Sequence, residues 1–203
     1  MSASLDASLR ALGTDYIDIY NLHGVVPEDY TRLVTDIYPT LERAREAGKI
    51  RFLGITEMYN EDLDHTMMER ALRDDLWDVV MVGFSLLNQT ARKRLLPLAR
   101  KHNVGVQVMF AVRKALSSAE HFAQFVKHLI GTGELDEKDG DRCLGDDFIK
   151  HLGAESLTDA SYRFCRDEPG VHVVLSGTGN RQHLQQNLAS FERGPLSTAA
   201  IER

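Results

Sequence analysis

Residues 41–57, LERAREAGKIRFLGITE, pass from a helix directly into a strand. Leu41 to Ala47 are helix formers, and Gly48 supplies the left-handed backbone on which helices commonly end. Arg43 and Arg45 fall in the last turn, where cations meet the negative end of the helix dipole. Ile50–Ile55 (IRFLGI) then predicts a strand, with Thr56 and Glu57 at its C-terminal end. A helix that turns through one glycine directly into an apolar strand is the repeating step of a parallel sheet.

Outward from this stretch the same step recurs in both directions. Upstream, Ser4–Leu12 predicts a helix with Leu5, Leu9 and Leu12 on one face, and Tyr16–Leu22 (YIDIYNL) a strand that runs into His23-Gly24. A long helix is expected over Tyr30–Ala47. Downstream come helix Asp62–Arg73, strand Asp78–Val82, helix Thr90–Lys101 and strand Gly105–Met109. After a less regular stretch from Ser118 to about Leu152, with a helix over Glu120–Ile130 and a polar connection GTGELDEKDGD, helix Leu157–Arg166 leads to strand Val171–Leu175 and helix Gln182–Ser190. Strands such as VHVVL and WDVVMV are nearly continuous in apolar residues, which predicts burial on both faces. Alternation of this kind requires parallel strands joined by right-handed crossovers. It leaves two architectures open, a doubly wound sheet or part of a TIM barrel.

Composition narrows the function classes. A net charge of −6 without a Lys/Arg run argues against a nucleic-acid surface. Cys143 and Cys165 have neither metal-ligand spacing nor a disulfide framework, which points to a reducing cytoplasm. The opening MSASLDASLRALG lacks the apolar core of a signal peptide, and no apolar run reaches membrane-spanning length. The chain is expected to be soluble and cytoplasmic.

Individual motifs are weak when taken alone. Ser176-Gly177-Thr178-Gly179-Asn180 follows a strand and precedes a helix, where free N–H groups favour phosphate. A dinucleotide fingerprint needs a third glycine where Gln182 stands, so the Rossmann reading fails and a plain strand-to-helix turn is the simpler reading. His23 ends a strand, at the rim where barrel enzymes place their chemistry; the alternative is an imidazole satisfied by a nearby carbonyl. Glu57 could touch a ligand or cap the next helix. Phe84, Met109 and Phe110 are most simply barrel or pocket lining, and Trp77 a helix–strand anchor. There is no His/Cys/carboxylate cluster with metal spacing and no nucleophile elbow.

Taken together, SLRALGTDYIDIYNLHG (8–24), LERAREAGKIRFLGITE (41–57), DVVMVGFSLLNQTARKRLLPLARKHNVGVQVM (78–109) and VVLSGTGNRQHLQQNL (173–188) resemble the aldo-keto reductase family, in family order and spacing. The resemblance implies an α/β fold, an incomplete (β/α)8 TIM barrel holding about strands four to eight, as a single partial domain over 1–203. It implies an NAD(P)H-dependent oxidoreductase interconverting carbonyl and alcohol groups of aldehydes, ketones or sugars. GITE and MFAVRKAL are similar to a bacterial branch near sugar dehydrogenases. In the family the cofactor transfers hydride, a tyrosine supplies the proton, a lysine and an aspartate tune that tyrosine, and a histidine orients the substrate.

By the same resemblance His23 is that histidine, whereas the aspartate, tyrosine and lysine lie upstream of the matched segments and have no counterpart here. The chain therefore reads as truncated at its N-terminal side and inactive alone. Cofactor positions carry over to Thr56 and Glu57 (a family Ser-Asn pair), Met81 (a glutamine), Met109 (a stacking aromatic), and Ser176, Gly177, Thr178, Gly179, Asn180, His183 and Asn187 on the adenosine side. Gly177 stands in place of a lysine and His183 in place of an arginine, so NADH is expected to serve at least as readily as NADPH. Two outcomes follow: a reductase portion that takes a small carbonyl or sugar substrate, or a non-catalytic barrel remnant serving as an interaction scaffold. Either would expose open sheet edges prone to self-association.

Overall fold

The computed structural model describes residues 2–145 and 147–197. Its strands are β1 (Ile17–Val25), β2 (Ile50–Glu57), β3 (Val79–Gly83), β4 (Gly105–Met109) and β5 (Val173–Val174), lying side by side in sequence order. β1 pairs with β2 and β2 with β3 in parallel. Sequential order distinguishes the two architectures: a doubly wound sheet reverses direction at a switch point, whereas right-handed crossovers that never reverse put every helix on one side of a sheet that curls. The chain divides into two compact units, one of residues 1–83 with 88–107 and the other of 84–87 with 108–203.

In the first unit, α1 (Ser2–Leu12), α2 (Pro27–Arg32), α3 (Tyr38–Glu46), α4 (Thr66–Asp74), α5 (Thr90–Lys93) and α6 (Leu95–Lys101) accompany the strands. The register fixes the faces. Leu22 opposes Ile55 and Ile55 opposes Val80, all three buried; Leu53 and Val82, at the same parity on β2 and β3, are also buried. Ile19 opposes Phe52 on the other face, and these are 37% and 43% exposed. The expectation of burial on both faces therefore holds for one face only. In the second unit Val173 and Leu175 are 46% and 42% exposed, so the apolar VHVVL run is not enclosed either. Gly54 shares the face of Phe52 but is buried, because the Asn21 side chain lies across it in the space a Cβ would take.

Helix boundaries differ from the sequence expectations where proline or side-chain capping intervenes. The helix expected over Tyr30–Ala47 starts earlier, with Pro27 at its first position, and is interrupted by a π-turn at Leu33–Ile37. Pro39 has no N–H to return to the preceding turn, so the backbone widens there. Pro97 accounts in the same way for the division of Thr90–Lys101 at Arg94. The helix expected from Asp62 begins at Thr66, and Asp62, ahead of it, satisfies its first amides: Oδ1 accepts from Thr66 at 2.9 Å and Oδ2 from Met67 at 2.8 Å. Trp77 anchors as expected, 3% exposed and donating from Nε1 to the Tyr30 hydroxyl at 3.2 Å.

The second unit contains α7 (Ala119–Thr132), α8 (Glu137–Leu144), α9 (Phe148–His151), α10 (Leu157–Arg166) and α11 (Arg181–Glu192). α8 forms within the stretch expected to be a connection. Glu137 and Asp139 favour its first turn, and Gly140 sits where a Cβ would strike Ile130. Leu116, Phe122, Val126 and Leu157 form one core cluster, with Phe148 stacked on Phe122 at 5.8 Å. Phe84 stacks on Phe164 of α10 at 5.4 Å and is fully enclosed, a core position. Among the described residues no helix is long and apolar enough to cross a membrane.

Candidate active site

In the first unit the candidate residues gather at the C-terminal ends of β1, β2 and β3. β1 continues through His23, and its register against β2 slips between Leu22 and Val25. The extra residue is a bulge, made possible by Gly24 at φ +65°. The Gly24 amide donates to Thr56 Oγ1 at 2.7 Å, which pins the bulge to the neighbouring strand. His23 is exposed there. Thr56 is in register with half-buried Met81, so these two side chains share a face of the sheet. Phe110, next to Met109, has φ +67°; Met109 itself ends β4 in the second unit, half-buried.

Glu57 takes the opposite face, as alternation along a strand demands of the residue after Thr56. Its side chain is fully enclosed: Oε1 accepts the Gly83 amide at 2.7 Å, and Oε2 lies 2.8 Å from His65 Nδ1. His65 is equally buried and holds a left-handed backbone, φ 58°. Its Nε2 is 2.9 Å from Thr90 Oγ1. Thr90 gives its own proton to a carbonyl-type oxygen, Leu63 O or Asn88 Oδ1, so Nε2–H of His65 donates to Thr90. Burial raises the Glu57 pKa above the usual glutamate value, while the His65 contact pulls the other way. Nothing local in the sequence marks His65, a histidine before an amphipathic helix, as the partner of a strand-end carboxylate.

In the second unit the turn after β5 carries the remaining candidates. Ser176, Gly177, Thr178 and Gly179 are exposed, and nothing lies within 4 Å of a Cβ built on either glycine. Asn180 caps α11, its Oδ1 accepting from the amides of Gln182 at 2.8 Å and His183 at 3.3 Å. His183 is exposed. Asn187 is turned inward, only 5% exposed, and donates from Nδ2 to Ser176 Oγ at 2.9 Å. Tyr162, likewise unmarked in the sequence, meets the same oxygen at 3.0 Å.

The Aldo/keto reductase family profile matches residues 1–203, and the chain belongs to that family. It is 25% identical over 196 residues to an uncharacterized oxidoreductase, YqkF, of Bacillus subtilis, covering 96% of this chain and 61% of that protein. It is 32% identical over 110 residues to the NADH-specific methylglyoxal reductase of Escherichia coli, covering 54% of this chain and 32% of that protein. The holo form of aldo-keto reductase AKR11C1 from Bacillus halodurans superposes with a TM-score of 0.73 at 21% identity, covering 98% of this chain and 64% of that one. The chain thus spans under two thirds of these relatives. Its parallel sheet is an incomplete (β/α)8 barrel.

Proposed function

We propose that this chain forms the later part of the barrel of an NAD(P)H-dependent oxidoreductase that interconverts carbonyl and alcohol groups. The observation that carries the reading is the bulge at His23-Gly24, pinned by Thr56, which presents an imidazole at the strand ends where barrels of this kind hold their chemistry. His23 would hydrogen-bond the substrate oxygen and orient the carbonyl. Thr56, Met81 and Met109 would line the nicotinamide side. Ser176–Asn180, His183 and Asn187 would serve the adenosine side, where exposed backbone with open space over two glycines suits a phosphate-bearing ligand. A dinucleotide bound there supplies the hydride. Glu57 fits a carboxamide contact less well, since both its oxygens are engaged internally.

In this reading the 203-residue chain carries no aspartate–tyrosine–lysine set and binds cofactor without turnover. With Gly177 and His183 where family members place a lysine and an arginine, the grip on a 2′-phosphate is missing. NADH is therefore used at least as readily as NADPH, as the name of the Escherichia coli relative also suggests. The substrate is a small carbonyl compound or sugar, the setting cytoplasmic, and nucleic acid and membrane are not partners. Titrating the chain with NADH and NADPH and following nucleotide fluorescence tests this. Saturable NADH binding at least as tight as NADPH is expected; a strong preference for NADPH, or binding of neither, would overturn it.

A second reading, an interaction scaffold, is favoured only by the open sheet face with exposed Ile19 and Phe52. It predicts association without nucleotide binding.

A further inference from the structure

Ser176 lies two residues beyond β5, and the side chains of Tyr162 and Asn187 meet at its hydroxyl. Asn187 Nδ2 donates to Ser176 Oγ at 2.9 Å and reaches Tyr162 Oη at 3.4 Å, while Tyr162 Oη and Ser176 Oγ are 3.0 Å apart. Tyr162 is 4% exposed, its ring packed against Phe191 with centroids 5.2 Å apart. The amide hydrogens of Asn187 can only be given, so they fill acceptor positions on both oxygens. One proton must then run between Tyr162 and Ser176. Were Ser176 to give it, the phenolic hydrogen of Tyr162 would find no acceptor among the described residues, inside a packed ring environment. A buried donor left unpaired costs about 1–3 kcal/mol, so the proton runs from Tyr162 to Ser176. Ser176 Oγ then has both acceptor positions filled from within, and its own hydrogen points out of the cluster. In the turn that Ser176 opens, nothing lies within 4 Å of a Cβ built on Gly177 or Gly179.

We infer that Tyr162 and Asn187 are positioning residues that make Ser176 a one-way donor, aimed at an acceptor oxygen on the adenosine diphosphate half of the cofactor. This rests on the proposed cofactor reading and goes beyond it: buried Asn187 acts on the nucleotide through Ser176. The donor direction is fixed before the ligand arrives, so no rotor entropy or competing internal bond is lost on binding.

The test measures NADH affinity of the 203-residue chain by nucleotide fluorescence, with the 31P shift of the bound diphosphate as a second readout. Ser176→Ala is expected to weaken binding about tenfold, the worth of a hydrogen bond to a charged group. Tyr162→Phe removes the inward donor and frees Ser176 to turn in; it should weaken binding and move the 31P shift in the same sense. Asn187→Asp, whose carboxylate draws the Ser176 proton inward, should do likewise. Tyr162→Phe in the Ser176→Ala background should add nothing. Phe191→Leu, a packing change at the same place, should leave the 31P shift alone. If the chain binds NADH but Tyr162→Phe leaves affinity and shift unchanged, or adds fully to Ser176→Ala, the inference falls and the cofactor reading stands. If the unaltered chain binds no NADH, both fall.

Discussion

The most constrained residues are Glu57 and His65, a carboxylate and an imidazole that are 0% and 1% exposed. A buried carboxyl and imidazole persist only when their remaining hydrogen-bonding positions are filled, and here Gly83 and Thr90 fill them. His65→Ala leaves Glu57 Oε2 without its buried partner and is expected to cost about 1–3 kcal/mol in urea denaturation; an unchanged midpoint would show that the pair does not hold the strand ends. The pH dependence has a definite sign. Burial raises the folded-state pKa of Glu57 above 4.5, so the folded chain binds this proton more tightly than the unfolded chain. Its stabilising contribution is complete below 4.5 and is lost as pH rises through the folded value. Glu57→Gln keeps an acceptor for Gly83 and should flatten that slope, read from denaturation midpoints of both proteins across the range. Parallel slopes would refute it. At Gly54 the space over the backbone belongs to Asn21, so Gly54→Ala should cost about 1–3 kcal/mol through displacement of that side chain.

At the scale of elements, one arginine ties the last described segment to α10. Arg163 donates to the carbonyls of Gly153 at 2.9 Å, Gly194 at 2.8 Å and Pro195 at 2.8 Å, and to Asp159 Oδ2 at 2.9 Å. A planar guanidinium can serve all four at once, which a lysine cannot. Arg163→Lys should therefore lower stability nearly as far as Arg163→Ala, with limited proteolysis appearing after α11; rescue by lysine would refute the geometric account. Burial by itself would raise the Asp159 pKa, but the Glu155 amide, Arg163, Ser190 and Arg193 together bring it below 3.8. The stability it contributes is present above that value and is lost as pH falls through the folded-state pKa. The two unexpected helix interruptions, at Leu33–Ile37 and Arg94, were visible in the sequence as Pro39 and Pro97. The helix α8 was not, because its acidic, glycine-containing composition is equally that of a loop.

At the scale of the whole molecule, the sheet keeps sequence order from β1 to β5; in the first unit Ile19 and Phe52 are exposed on one sheet face, and in the second Val173 and Leu175 are exposed. Such edges and patches recruit other chains. Concentration-dependent association is expected in sedimentation velocity, weakened by Phe52→Lys. A monomer at every concentration would remove the prediction.

Local chemistry was enough to write much of this chain from its sequence: strand and helix types, their alternation and the glycine stops all follow from backbone geometry over a few residues. Which face each strand-end side chain takes did not follow, because it depends on a register and a bulge set by a partner strand about thirty residues away. Nor did the pairing of Glu57 with His65, or of Tyr162 and Asn187 with Ser176, since these contacts form only once separate elements are packed. Periodicity encodes burial, whereas the direction of a proton between two hydroxyls is decided by what else surrounds them.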